Sequence, residues 1–447
     1  MNNYDQYKNT NIDWIGDIPK HWNISRIKFI AEIFGRIGYR GYTVNDIVEK
    51  GKGAITLGPG NIIDDNLTLK KNVYISWEKY HESPEIKIYK GDIILVKTAS
   101  IGKVAYVKEK GHQLTINPQL IKIKSHSINS NYLYFFLRSN IYKYQIISEK
   151  EGGTTPTISQ EKILNHFIVI PNKEEQIRIS RYLEIKMKKI DFLIEKIVKK
   201  IELLQEQKTA LINQYVTKGL NPNIEMKNSG IEWIGEIPKH WGIKRLTILG
   251  DFSKGKNITK SDLVDIGLPV ILYSHIYTKY DRSTSIVDSY ISKDKSIGST
   301  KIQSHTFLFT SSGETKEDIG KSILYRGLED VFIGGDMVVY KFKDSDYYDP
   351  DYYSFVFNSF NCQCQKSSMS RGEIVVHIYE KQLREIRVCI PPVDEQNEIK
   401  DCLIEIEKNS MKLQENLQTK VQLLEEYRQS LISSVVTGKI RITEDMI

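Results

Sequence analysis

Two loops rich in Ser, Thr and Lys carry the side chains of this chain that are best suited to binding an anion. Residues 97–103 lie between two apolar stretches, and residues 310–321 have the same setting; both loops end in Ile-Gly-Lys. Hydroxyl and ammonium groups bind phosphates, while Arg, Asn, Gln and His side chains read base edges. One such loop alone is best explained as a solvated turn. Two loops in equivalent places favour a surface that binds DNA.

Further polar segments flank these loops. FGRIGYRGYT at residues 34–43 is punctuated by glycine, and lysines stand at the corresponding place later in the chain. GGTTPTIS at 152–159 and SMSRGEIVVHI at 368–378 are also polar and contain glycine. The predicted DNA-contacting residues are Arg36, Arg40, Tyr42, Asn61, Lys97, Thr98, Ser100, Lys103, Thr154, Thr155, Lys254, Lys256, Lys260, Ser274, His275, Ser311, Ser312, Thr315, Lys316, Ser370 and Arg371.

The motifs of several enzyme classes are absent from the sequence. The glycines Gly313 and Gly320 precede Lys321-Ser322, but they are seven residues apart rather than the five of a phosphate-binding loop. The Pro-Pro pair before Val393 lacks the aromatic residue of an amino-methyltransferase motif. We therefore expect a non-catalytic chain that binds no cofactor.

Histidine and cysteine residues do not form a metal site in the sequence. His21 and His240 recur within Ile-Pro-Lys-His-Trp without neighbouring ligands, so we expect them to pack beside the tryptophans. The four cysteines all lie in the last quarter of the chain, too few for a disulfide framework. They are expected to be reduced, with no metal bound.

The chain is a tandem duplication. IDWIGDIPKHWNISRI at residues 12–27 matches IEWIGEIPKHWGIKRL at 231–246 at eleven of sixteen positions. Residues 167–220 match residues 387–440 at 17 of 54 positions without a gap. A gapless match suits helices, because one inserted residue would rotate the buried face by about 100°. The inserts between these motifs are alike in length and share little sequence.

The repeated segments predict two long helices with heptad patterns. Each follows a proline and an acidic turn that suits the positive end of a helix dipole, and each reaches a stop at Gly219 or Gly438. Two amphipathic helices in separate domains would also fit; we favour antiparallel pairing, since neither helix alone completes a core. Residues 182–217 would span about 54 Å. The predicted pairing residues are Leu183, Ile190, Ile197, Leu204, Leu211, Leu403, Leu417, Leu424 and Leu431.

Composition permits nucleic acid as a partner without requiring it. The 447 residues are 40% hydrophobic and 27% charged, and the formal net charge is +7. Residues 1–227 carry 35 basic and 24 acidic side chains (+11), whereas residues 228–447 carry 28 and 32 (−4). No apolar run approaches the roughly 18 residues of a membrane span, and the N-terminus has no secretory pattern. We expect a cytoplasmic protein without a membrane partner.

The order of these motifs is similar to that of DNA-specificity subunits of type I restriction-modification systems. The resemblance rests on W-I-G-x-I-P-x-H-W and on I-P-x-x-x-E-Q followed by L-I-x-x-x-V-T, each present twice. The first Ile-Gly-Lys loop and the Gly-Thr-Thr-Pro segment support it. The second insert departs by having Thr306 and Phe307 where the first has Gly91 and Asp92.

This resemblance implies an α+β fold with two target-recognition domains separated by two long antiparallel coiled-coil helices, as a pseudo-twofold tandem duplication. The domains would be residues 1–166 and 228–386, and the spacer segments 167–227 and 387–447. Each domain would read one half of an asymmetric, bipartite site on double-stranded DNA. Two partner methyltransferase subunits would use S-adenosylmethionine to methylate adenine, and motor-nuclease subunits would cleave.

Two other hypotheses remain open. A coiled-coil scaffold could join protein partners without touching DNA, as the heptads and the near-neutral second half allow. An enzyme with an unrecognised active site has little support. A steep fall of binding with salt would distinguish DNA recognition from a scaffold.

Overall fold

The computed structural model describes residues 3–36, 38, 41–108, 111–344, 346–373 and 375–447. The chain forms two compact units: unit one is Met1–Val198 with Gln418–Ile447, and unit two is Lys199–Leu417. Both boundaries fall inside long helices, so each unit contains one insert and a part of each long helix. The division into four segments predicted from the repeats is a different partition and stays a prediction.

Unit one combines short strands with helices. Its strands are β1 (Tyr7–Asn9), β2 (Asp17–Pro19), β3 (Asn23–Arg26), β4 (Ala31–Gly35), β5 (Ile47–Val48), β6 (Gly53–Leu57), β7 (Ile62–Ile63), β8 (Asn66–Leu67), β9 (Val73–Ser76), β10 (Ile93–Val96), β11 (Val104–Tyr106), β12 (Leu114–Ile116), β13 (Leu120–Ser125) and β14 (Phe167–Ile170). Its helices are α1 (Trp77–Glu82), α2 (Ser130–Arg138), α3 (Asn140–Ser148), α4 (Gln160–Asn165), the first part of α5 (Lys173–Lys218) and the last part of α12 (Val393–Val436).

Two sheets form the body of the first insert. One has the order β11–β10–β13–β4 with antiparallel neighbours; the other is β12–β6–β9–β5, in which β12 and β6 are parallel. Ile93 and Leu95 of β10 belong to a core that includes the aromatic residues of α2, whereas Ile94 and Val96 belong to a core that includes residues of the second sheet. Because β10 is buried on both faces, its sequence is apolar without alternation.

Unit two has its own set of strands and helices. Its strands are β15 (Met226–Asn228), β16 (Glu236–Pro238), β17 (Gly242–Arg245), β18 (Gly250–Lys254), β19 (Leu263–Val264), β20 (Leu268–Ile271), β21 (Ser283–Thr284), β22 (Tyr290–Ile291), β23 (Lys301–Ile302), β24 (Thr306–Thr310), β25 (Ser312–Gly313), β26 (Ser322–Tyr325), β27 (Val331–Ile333), β28 (Met337–Phe342), β29 (Val376–His377) and β30 (Arg387–Ile390). Its helices are α6 (Leu246–Leu249), α7 (Tyr273–Thr278), α8 (Lys293–Ser296), α9 (Pro350–Phe357), α10 (Phe360–Met369), α11 (Glu380–Leu383) and parts of α5 and α12 (Val393–Val436).

The two inserts share one topology despite their different sequences. In unit two the main sheet has the order β21–β26–β24–β28–β18, and the second has the order β23–β27–β20–β22–β19. Without the additional strands β21 and β23, these orders match those of unit one strand for strand, including the parallel pair β20 and β27. The duplication predicted from the flanking motifs therefore extends through the inserts.

The long helices run antiparallel in unit one. The Tyr132 hydroxyl lies 2.8 Å from the carbonyl oxygen of Val169, just before α5, and 3.2 Å from that of Val436, at the end of α12. Further along α5 and further back along α12, Arg428 donates a 2.9 Å hydrogen bond to Asp191. The start of one helix thus lies beside the end of the other.

The heptad positions lie in or near the helix contacts of both units. In unit two, Val216 near the end of α5 shares a core with Ile399 and Leu403 near the start of α12. Of the predicted pairing residues, Leu183, Ile190, Leu403, Leu417 and Leu431 are buried, and Ile197, Leu204, Leu211 and Leu424 are half-buried.

Helix α5 is longer than predicted. It has 46 residues and starts at Lys173, so it is about 69 Å long. Within the described residues, no helix has the length and apolarity needed to span a membrane.

Candidate nucleic-acid interface

In unit one, three chain segments meet at one end of the main sheet. The register places Gly35, the last residue of β4, opposite Ile121, and Val96, the last residue of β10, opposite Leu120. The segments that follow β4 and β10 therefore lie beside the segment that precedes β13. We call this end of the sheet, with the loops on it, the loop end.

The Gly-Thr-Thr-Pro segment folds onto the same loop end. The Ile158 amide donates to the Lys97 carbonyl at 3.0 Å, and the hydroxyl oxygens of Thr98 and Thr157 lie 3.0 Å apart. Two segments that are about 60 residues apart in sequence, and were predicted separately to contact DNA, thus form one surface.

Unit two builds an equivalent loop end. Lys254, the last residue of β18, and Thr310, the last residue of β24, lie opposite neighbouring residues at the start of β28. Strands β25 and β29 then pair, and the Ser312 hydroxyl lies 3.0 Å from Nδ1 of His377. The lysine segment, the Ser/Thr/Lys loop and the 368–378 segment, all predicted DNA-contacting parts, come together here.

A third segment of each loop end was not predicted from the sequence. It is Asn-Pro-Gln before β13 and Gly-Gly-Asp before β28. The Lys97 amide donates to the Gln119 carbonyl at 2.9 Å, and the Ser311 amide donates to the Asp336 carbonyl at 3.0 Å. Each Ser/Thr/Lys loop therefore begins between this segment and the segment that contains Thr157 or His377. The only local signal was a polar triplet between two apolar strands.

The predicted DNA-contacting residues differ in their exposure. Arg40 lies outside the described residues. The exposed residues are Lys103, Thr154, Thr155, Lys254, Lys256, Lys260, Thr315, Lys316 and Arg371. The half-buried residues are Tyr42, Lys97, Thr98, Ser100, Ser274, Ser312 and Ser370. The buried residues are Arg36, Asn61, His275 and Ser311.

Three of the four buried residues, Arg36, Asn61 and His275, use their polar groups inside the protein. Arg36 donates through Nε to the Ile116 carbonyl at 3.1 Å, and burial lowers the pKa of its guanidinium. Asn61 donates to the backbone carbonyls of Thr68 and Lys71, and Nδ1 of His275 accepts from the Leu272 amide. The Ser311 hydroxyl is enclosed. This placement argues against DNA contacts by these four side chains, so we keep that prediction for the exposed and half-buried residues.

The two loop ends differ in charge. The loop of unit one contributes Lys97 and Lys103, whereas the loop of unit two also carries the exposed acidic residues Glu314, Glu317 and Asp318. Lys316 is exposed on the same loop of unit two, and three further exposed lysines lie at residues 254–260, at and after the end of β18. Attraction to phosphates is therefore local in unit two, as its net charge requires.

The described residues offer no constellation for metal or thiol chemistry. Among them, no group of three or more His, Cys, Asp or Glu residues could hold a metal ion. All four cysteines are free, and burial raises the pKa of the Cys389 thiol to about 12, which keeps it protonated. The loop ends present hydrogen-bond donors, acceptors and cations, a set of groups suited to binding.

Comparison with known families identifies two matches within the chain. The family model described as type I restriction modification DNA specificity domain matches residues 19–203 and again residues 238–423. Each match begins inside an entry motif and ends inside a long helix. The family model therefore covers most of the chain, and its two matches correspond to the two repeats.

Individual proteins are similar over nearly the whole length. A provisionally named type I restriction enzyme MjaX specificity subunit of Methanocaldococcus jannaschii is 24% identical, over 96% of each chain. The MjaVIII specificity subunit of that organism is 23% identical over 80% of this chain and 81% of its own.

Solved structures are also similar. A chain solved in work on assembly and conformational transition of the type I restriction-modification system has a TM-score of 0.71 at 14% identity, covering 95% of this chain and 99% of its own. The HsdS subunit from Thermoanaerobacter tengcongensis has a TM-score of 0.53 at 15% identity, covering 95% and 98%. These structures support the fold.

Proposed function

The chain belongs to the DNA specificity family of type I restriction-modification systems, and we propose that it reads one asymmetric, bipartite site on double-stranded DNA. Each loop end contacts one half of the site. Lysines and hydroxyls hold phosphates, and polar side chains between them read bases in the major groove. The chain performs sequence recognition, and the chemistry on DNA belongs to other subunits of the complex.

One observation carries this proposal: the same loop end is built twice, on one topology, from different side chains. A duplicated binding surface with identical side chains would read two identical half-sites. Because the side chains differ at equivalent places, such as Thr157 and His377, the two half-sites should differ. The paired helices α5 and α12 would fix the length of the unread gap between them.

The family membership also suggests the partners. Two methyltransferase subunits would dock on this chain, bind S-adenosylmethionine and methylate adenine within the site, and motor-nuclease subunits would cleave DNA that lacks the methyl groups. The chain itself would bind no cofactor or metal. Its action would lie in the cytoplasm, where the DNA is accessible.

Methylome sequencing of a host with and without the gene tests the proposal. We expect one bipartite motif with two different halves and adenine methylation to disappear when the gene is deleted. Exchange of residues 28–166 for another insert should change only one half of that motif. If no motif disappears on deletion, DNA recognition by this chain is refuted.

A further inference from the structure

The polar triplet at each loop end differs in chemistry between the units. In unit one, Asn117 donates through Nδ2 to Oε1 of Gln119 at 3.1 Å, and the Gln119 amide donates back to Oδ1 of Asn117 at 3.0 Å. This mutual pair orients the carboxamide of Gln119. Among the described residues, its Nε2 group has no hydrogen-bond partner, and the side chain is half exposed.

The equivalent position in unit two holds an acidic residue. Asp336 is exposed, and its carboxylate forms no ion pair with any residue that the structure describes. Within the described part of the chain, its backbone carbonyl accepts from the Ser311 amide, and its carboxylate accepts no hydrogen bond. Gly334 and Gly335 precede it, so no neighbouring side chain within the triplet covers it.

An unpaired carboxylate on a surface that binds DNA repels phosphates. A carboxylate that lies over a groove can offset this repulsion by accepting hydrogen bonds from base amino groups. Such a carboxylate pairs with N4 of cytosine, and a glutamine carboxamide pairs with N6 and N7 of adenine. The matched positions therefore carry different base-reading chemistry.

The location of the two residues supports this role. Gln119 and Asp336 stand in the middle of their loop ends, between the segment that follows β4 or β18 and the start of the Ser/Thr/Lys loop. The exposed cations Lys103, Lys254 and Lys256 lie on the flanking segments. Phosphates line the two sides of a DNA groove, and base edges form its floor. Lysines on the flanking segments can therefore contact phosphates while Gln119 or Asp336, between them, contacts a base.

We propose that Gln119 and Asp336 are base-reading residues at equivalent positions, Gln119 for an adenine in one half-site and Asp336 for a cytosine in the other. This inference rests on the proposed function and adds to it the identity of two specificity-determining residues. It also predicts that one half-site contains adenine, and the other cytosine, at the position that these residues contact.

The test uses the chain assembled with its methyltransferase subunits and the variants Gln119→Glu and Asp336→Asn. Binding is measured to duplexes in which each base pair of the site is changed in turn, and methylated motifs are sequenced in parallel. We expect each variant to change the base preference at one position of one half-site. The change should be about tenfold or more for Gln119→Glu, since a bidentate base contact contributes that much discrimination, and smaller for Asp336→Asn, whose carboxylate accepts from one amino group. The other half-site should keep its preferences.

Matched controls stand at the start of the strand that leads into each triplet, β12 in unit one and β27 in unit two. Gln113→Glu, before β12, adds the same charge as Gln119→Glu, and Glu329→Gln, before β27, removes the same charge as Asp336→Asn. Both controls should leave every base preference unchanged. A uniform change of affinity across all duplexes for Asp336→Asn, equal to that of Glu329→Gln, would mean that the carboxylate acts only through bulk charge and would overturn the inference.

The remaining outcomes are also decisive. A folded variant, with the melting temperature of the wild type, that keeps the wild-type preferences overturns the inference and leaves the proposed function standing. Absence of any bipartite motif for the wild type refutes the proposed function instead. If a variant has a lowered melting temperature, Gln119→Ala or Asp336→Ala replaces it; a relaxed preference at one position then supports the inference, and an unchanged preference refutes it.

Discussion

The indole nitrogen of Trp22 donates a 3.0 Å hydrogen bond to the carboxylate of Glu175, the third residue of α5. His21 lies 3.0 Å from the same oxygen, and unit two repeats the arrangement with Trp241 and Glu395. The His-Trp entry motif and the Glu-Gln helix start therefore recur together because they are the two sides of one contact. Each contact attaches the beginning of an insert to the beginning of a long helix.

Glu175→Gln should destabilise unit one. The buried carboxylate accepts hydrogen bonds from Trp22 and from the Tyr4 hydroxyl, and a glutamine can replace only one acceptor oxygen. Hydrogen bonds to charged groups contribute about 1.5–3 kcal/mol each, so we expect a loss within that range in urea denaturation. Glu174→Gln, an exposed neighbour in the same turn, is the control and should change stability little. Equal stability of the two variants would contradict a structural role for the contact.

Gly438→Ala should destabilise the protein more than Gly16→Ala, which introduces backbone strain without a steric overlap. Gly438 has φ +75°, and an added Cβ would lie 2.4 Å from Pro19 of the entry motif. Gly16 has φ +69° with nothing within 4 Å of such a Cβ. Gly16→Ala should cost about 1–2 kcal/mol of backbone strain, and Gly438→Ala should add about 1–3 kcal/mol of steric overlap. Thermal unfolding of both variants measures the difference, and equal melting temperatures would refute the close approach.

His166 should make stability depend on pH below neutrality. Its ring is almost completely buried, and Nε2 lies 3.5 Å from the half-exposed Glu149 carboxylate. Burial lowers the pKa of His166 below its ordinary value of about 6.5, although Glu149 opposes this. The unfolded chain then binds the proton first, so stability is fully present above pH 6.5 and is lost as pH falls through the lower folded-state pKa.

Replacement of His166 by the residue at the equivalent position of unit two tests this dependence. His166→Ile introduces the residue found at position 386 of unit two. Below pH 6.5, the unfolding free energy of this variant should fall less steeply than that of the wild type, by up to about 1.4 kcal/mol per pH unit. The comparison needs wild type and variant at pH 7.5 and pH 5.5. Parallel pH profiles would show that another group controls acid stability.

Repeats and periodicity predicted much of this structure, because they act through local sequence. The gapless match predicted both long helices, and Gly219 and Gly438, both with positive φ, follow them. Contacts between residues that are distant in sequence within an insert have no such local signal. Gln119 lies beside Lys97 only because β13 neighbours β10, and Arg36 is buried because its guanidinium reaches the second sheet. Strand order is a tertiary property, and a charged residue among glycines is expected to be exposed until that order is known.

Lysines at the loop end of unit two should set part of the salt dependence of DNA binding. Lys254 and Lys256 are exposed at that end, and Lys341 and Lys343 are exposed at the far end of β28. Each phosphate contact adds about 0.9 to the slope of log affinity against log salt concentration. Lys254→Gln with Lys256→Gln should therefore lower the slope by about 2 and weaken binding similarly for all sequences.

The control is Lys341→Gln with Lys343→Gln, which removes the same charge and should leave the slope unchanged. Titration of the assembled complex with duplex DNA measures both slopes. Equal slopes for both double variants would contradict the assignment of the loop end as the DNA-facing surface, and a flat response of the wild type would favour the coiled-coil scaffold.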